Sequence, residues 1–102
     1  MEEKLQNIAD QMNIENDMIH FLFLIGIHES GRGFREYSKE EKTDLIELGG
    51  ATVLYPYGYY EKMKTDSSEP YYVANPNKKL PNDFERETLI KKGIIAYFSD
   101  KL

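Results

Sequence analysis

Two histidines, a glycine-flanked arginine and a crowd of tyrosines are the residues of this chain whose types and spacing can do chemistry. His20 and His28 are the only imidazoles among 102 residues. On a helix they share a stripe with Asp17 and Leu24, but eight residues of helix set them about 12 Å apart, too far to hold one metal ion. One histidine with one carboxylate is not a metal site, and none is expected. His28-Glu29 begins like the zinc-protease helix motif, in which a second histidine follows four positions after the first. Here that position is Arg32, which removes the motif. What remains to the pair is acid–base chemistry of the kind a small hydrolase or isomerase uses: an imidazole that titrates near neutrality beside a carboxylate in a recess. A structural or merely solvated role for both histidines asks for less.

Gly31-Arg32-Gly33 resembles a fragment of an anion-binding loop. With Arg35, Lys39 and Lys42 it forms the only locally basic segment, interleaved with Glu36, Glu40 and Glu41. A phosphate cradle needs its glycines between a strand and a helix at tighter spacing. A helix end followed by a loop accounts for the same residues. Arg32 and Arg35 are therefore candidate partner contacts, not a phosphate site.

The tyrosines carry more. Six of eight, Tyr55, Tyr57, Tyr59, Tyr60, Tyr71 and Tyr72, fall in two short segments. Tyrosine offers a large contact area with a polar tip at little entropic cost, which favours it at interfaces. Tyr57, Tyr59, Tyr60, Tyr71 and Tyr72 are accordingly the candidate binding residues. The competing account is that tyrosine is a good strand residue and packs on its neighbours. Strict alternation predicts Tyr59 and Tyr60 on opposite faces, one of them exposed. Base stacking on such a platform is the third reading. The acidic balance and the scattered lysines Lys62, Lys64, Lys78 and Lys79 argue against it.

The elements that must position these residues are organised around Met18–Ile27, MIHFLFLIGI, in which eight of ten residues are large and apolar. Ten is too few to span a bilayer, so the stretch reads as a core element. Asn13 as a cap, Glu15 and Asp17 as first-turn acids and Gly31 as a stop predict a helix over 14–29. Leu5, Ile8, Ala9 and Met12 predict a short helix over 2–12. ESGRGFREYS reads as a loop of about eight residues. Ser38 and Glu41 form a capping box that opens a helix over 39–55, ended by Pro56. Gly49-Gly50 is the weak point, since two glycines cost about 2 kcal/mol of helix propensity. They could instead end the helix at Leu48 and leave ATVLY as a strand. The apolar face continues in phase across them, which favours helix, and Gly26 and Gly93 occupy comparable places, which points to close backbone crossings. YGYYEKMK and PYYVA, separated by TDSSE, predict a β-hairpin. Asn82 and Glu85 cap a last helix over 83–99, with Leu89, Ile90, Gly93, Ile94, Ala96 and Tyr97 on its core face. Phe84, Ile95 and Phe98 fall on another side, so this helix is packed on two sides or meets another subunit.

Composition bounds the whole: 40% hydrophobic, 30% charged and without cysteine, the sequence describes one domain with neither disulfides nor a thiolate metal site. The net charge of −5 sits in the first third, where residues 1–31 hold six acids against one lysine. That argues against general binding to nucleic acid or anionic membranes. The acidic start lacks an apolar signal core, which predicts a cytoplasmic protein. As a pattern, FLIGIHESGRGFREYSKEEKTDLIELGGATVLYPYGYYE followed by LIKKGIIAYF resembles short uncharacterised bacterial proteins that pair a helix like FLIGI with the phrase PYGYY. The resemblance covers about residues 20–98; it implies the helix-then-hairpin order, and no activity or residue role. The expectation is a mainly α (α+β), four-helix domain with an inserted β-hairpin. It would need no cofactor and act as a binding or assembly module toward a protein partner or itself. The acid–base site at His28 and Glu29 is the alternative, and single-stranded nucleic-acid binding the third.

Overall fold

A computed structural model describes residues 1–33, 35–63 and 70–100. Four helices, α1 (Glu2–Met12), α2 (Met18–Ser30), α3 (Lys39–Leu54) and α4 (Asp83–Ser99), carry between the last two a hairpin of β1 (Tyr60–Met63) and β2 (Tyr71–Ala74). The mainly α architecture with a small β insertion is as expected. No helix among the described residues is long and apolar enough to cross a membrane.

α2 starts four residues later than Asn13, Glu15 and Asp17 suggested. Asn13 takes a left-handed conformation, φ 57°, and closes α1 instead, its N–H donating to Ala9 and Asp10 carbonyls; asparagine tolerates that region better than most residues. Asp17 is the cap of α2, its carboxylate accepting the Ile19 N–H at 2.9 Å. Gly31, at φ 71°, stops α2 as expected.

α3 opens on the complete Ser38/Glu41 capping box and runs unbroken through Gly49-Gly50 to Leu54, which settles residues 49–54 as helix. Pro56 then tightens the chain into a single 3₁₀ turn over Tyr55–Tyr57, and Gly58, at φ 87°, turns it into β1. β1 and β2 pair antiparallel, Tyr60 with Ala74 and Met63 with Tyr71. The turn expected over TDSSE lies outside the described residues.

Three of the four helix glycines, Gly26, Gly49 and Gly93, are where helices cross. A Cβ on Gly26 would stand 2.0 Å from the Leu45 carbonyl oxygen, one on Gly49 2.0 Å from that of Leu22, and one on Gly93 2.6 Å from that of Val53. α2 and α3 thus touch backbone to backbone at two reciprocal points one helical turn apart, and α4 lies against α3 at Val53.

The main core joins Leu5, Ile8 and Ala9 of α1, Phe21, Leu22 and Ile25 of α2, Val53 and Leu54 of α3, and Ile94 and Phe98 of α4. The expected face of α4 needs correction. Gly93 and Ile94 are buried as expected, but Ala96 is exposed and Phe98, assigned to the other side, is buried against Phe21 with ring centroids 6.0 Å apart. The reason is that α1 returns along α4, where Lys91 bonds Glu2 at 2.7 Å and reaches Glu87 at 3.7 Å. Ile19, the second residue of the apolar run, is exposed.

Candidate functional site

The hairpin is locked to the turn that precedes it by Asn75, which the sequence did not single out, and by Lys78, which it offered only as a scattered lysine. Asn75 donates through Nδ2 to the Gly58 carbonyl at 2.9 Å, and its backbone N–H extends the ladder to Tyr59 O at 3.0 Å. Lys78 Nζ bonds the Tyr57 carbonyl and stands 4.5 Å above the Tyr59 ring. The signal for them was the NPN segment, since Asn75 Oδ1 also accepts the Asn77 N–H in an Asx turn.

Against this frame the candidate tyrosines divide. Tyr59 and Tyr60 are both half-buried on the main core. Neither is exposed, contrary to the expectation for one of them; Tyr60 lines the groove, and Tyr59 lies under Lys78 one residue before β1. Tyr72 packs on Tyr55 at 5.5 Å, and Tyr57 lines a small recess of about 230 Å³ beside Gly93. Tyr71 stands out at 57% exposure, opposite Met63 at 47% on the neighbouring strand. Tyr60, Tyr71 and Tyr72 are brought together at one place.

That place is an open groove of about 750 Å³ along the face of α3 turned away from α2. Its floor is apolar, from Leu48, Ala51 and Leu54 of α3 and Ile90 of α4. Asp44, Glu47, Arg32 and Arg86 supply charge of both signs, and exposed Leu80 adds to the rim. Arg32 lines this groove. Arg35 does not line this groove: its guanidinium bonds Glu41 at 3.0 Å and covers the Tyr37 ring at 4.4 Å. It helps close the loop, together with the Tyr37 hydroxyl donating to the Gly33 carbonyl and the edge-on Phe23 ring at 5.9 Å. The Ser38 backbone N–H, with Arg35 beside it, holds the Glu41 carboxyl below the usual carboxylate range.

His28 and Glu29 meet a third residue, Tyr97. The Tyr97 hydroxyl donates to Glu29 Oε2 at 2.8 Å, the same oxygen lies 3.9 Å from His28 Nε2, and the His28 ring sits edge-on to Tyr97 at 6.0 Å. His28 is 61% exposed and lines neither of the grooves named above. The arrangement ties the end of α2 to the end of α4. Burial, reinforced by the Glu29 carboxylate, pushes the Tyr97 phenol above its ordinary range. A phenol that resists ionisation in the folded state stabilises fully below the unfolded value, near pH 10, and that stability is lost as pH rises beyond it. Tyr97→Phe should cost about 1 kcal/mol at neutral pH, and the gap to the parent should close above about pH 10. Urea midpoints of both proteins from neutral to strongly alkaline pH check this; a gap that stays constant or widens would contradict it.

Compared with protein-family models, curated proteins and solved structures, the chain matches none.

Proposed function

We propose that this chain is a cytoplasmic protein-contact module whose working surface is the exposed side of the hairpin and the groove beside it. The observation that carries the reading is the cross-strand pair Tyr71 and Met63, two large side chains held in the open, of which Tyr71 lines the apolar-floored groove. Rigid, amphipathic aromatics flanked by an apolar floor and a charged rim are the composition of protein interfaces. The Asn75 and Lys78 bonds keep the surface preformed, which lowers the ordering cost of binding.

Tyr71→Ser combined with Met63→Ser should leave stability within about 0.5 kcal/mol, since both side chains are largely exposed. The double variant should lose the protein partner that the immobilised parent retains, whether that partner is another protein or the chain itself. Mass spectrometry of what each retains from cell extract, alongside thermal melts, reads both halves. Equal retention by parent and variant, or a large loss of stability, would return Tyr71 and Met63 to a structural role.

A further inference from the structure

We infer that the groove receives α3 of a second copy of this chain, the two α3 helices crossing at Gly50 about a two-fold axis. This rests on reading the groove as a protein-contact surface. Gly26, Gly49 and Gly93 each give up a side chain so that a neighbouring helix's carbonyl can approach within 2.0–2.6 Å of where a Cβ would be. Gly50 has the same character and, among the described residues, no such neighbour: none of them stands within 4 Å of its would-be Cβ, and it opens into the groove. Its helical backbone does not require glycine. The residue thus forgoes the helix propensity that alanine would supply, without a return from any described residue. A backbone arriving from outside would use that space as α2 uses the space at Gly49.

Charge selects the occupant. Asp44 and Glu47 come from α3 and Arg86 from α4, so one groove carries both signs. A two-fold interface sets a patch against itself, which allows the acidic rim of each protomer to meet Arg86 of the other. Arg86 holds Asp83 at 2.9 Å in an exposed pair, which is weak and readily exchanged. Leu80 and Tyr71, both exposed, would be covered by the same event.

Light scattering across a dilution series should show a monomer–dimer equilibrium. Gly50→Leu should shift it at least a hundredfold toward monomer without lowering the melting temperature of the monomer, and Gly50→Ala should act in the same direction more mildly. Glu47→Arg and Arg86→Glu should each weaken the dimer at least tenfold, and their combination should restore it. A monomer at every concentration overturns the inference, as does a dimer indifferent to Gly50→Leu or without charge-swap rescue. If the protein is monomeric and the hairpin variant still loses a different protein, the contact surface stands and only its occupant is wrong. If nothing is lost either, both readings fall.

Discussion

Gly49→Ala is expected to lower stability by about 3 kcal/mol or more, while Gly50→Ala, one residue on, is expected to raise the stability of the monomer by up to about 1 kcal/mol. The two glycines share a helix and a propensity cost, and differ in what stands opposite them. At Gly49 the new methyl would come to 2.0 Å from the Leu22 oxygen. Carbon and oxygen settle at about 3.3 Å or more even in close C–H···O contacts. The obstacle is backbone, so no rotamer relieves it and α2 must move away from α3. Moving it opens the reciprocal contact, Gly26 against Leu45, and loosens Leu22 and Leu45, both buried. Gly26→Ala should cost a similar amount, and the double variant less than the sum, because helices already parted meet the second methyl with less overlap. Urea unfolding of the four variants and the parent measures this. Equal effects at positions 49 and 50 would mean that the glycines serve backbone freedom and not helix contact.

What could be read from the sequence is what is decided locally. Ser38 with Glu41, Asn82 before Glu85, and Gly31 after Ile27 each satisfy backbone groups within a few residues of themselves, so the ends they mark were visible without the fold. The start of α2 was not. Asn13 and Asp17 are both competent caps, and the choice was made by Asn13 turning left-handed to finish α1. The face of α4 was also undecided locally, since Phe84, Ile95 and Phe98 repeat as regularly as Leu89, Ile90 and Ile94. Which stripe goes inward depends on α1 lying across it, and the Glu2–Lys91 bond that marks that meeting spans 89 residues.

The site divides in the same way. The tyrosines were visible as a cluster because two nearby strands hold them. The groove they border was not, because its floor comes from α3 and α4, elements whose facing sides no single segment specifies. Arg35 looked available only while Glu41 and Tyr37 could not be placed around it. The helix glycines were the exception among long-range features. A glycine inside a helix is costly enough on its own to signal that something distant stands against it, and at Gly26, Gly49 and Gly93 something does.

Phe21→Ala is expected to cost about 3–5 kcal/mol, a large part of the 5–15 kcal/mol that holds a domain of this size together. Phe21 is 1% exposed and belongs to the cluster where α1, α2 and α4 converge with Ala9, Ile94 and Phe98. Truncating it leaves a cavity among residues from three helices, and collapse into that space would have to move all three. The tilted stack on Phe98 adds about 0.5–1.5 kcal/mol of coupling, which a double-mutant cycle with Phe98→Ala isolates. The other phenylalanines grade the prediction. Phe23, half-buried over the small cluster of Ile27, Tyr37 and Leu45, should cost about 1–2 kcal/mol on truncation, and Phe84, 78% exposed at the start of α4, within about 0.5. Denaturant midpoints with unchanged slopes would give the order Phe21, Phe98, Phe23, Phe84. The order also bears on the groove, because Phe98 fixes the rotation of α4 and with it the positions of Ile90 and Arg86 on the wall. If Phe84→Ala proved as damaging as Phe21→Ala, α4 would be turned about its axis from the arrangement described. The groove would then lose the wall that Ile90 and Arg86 give it.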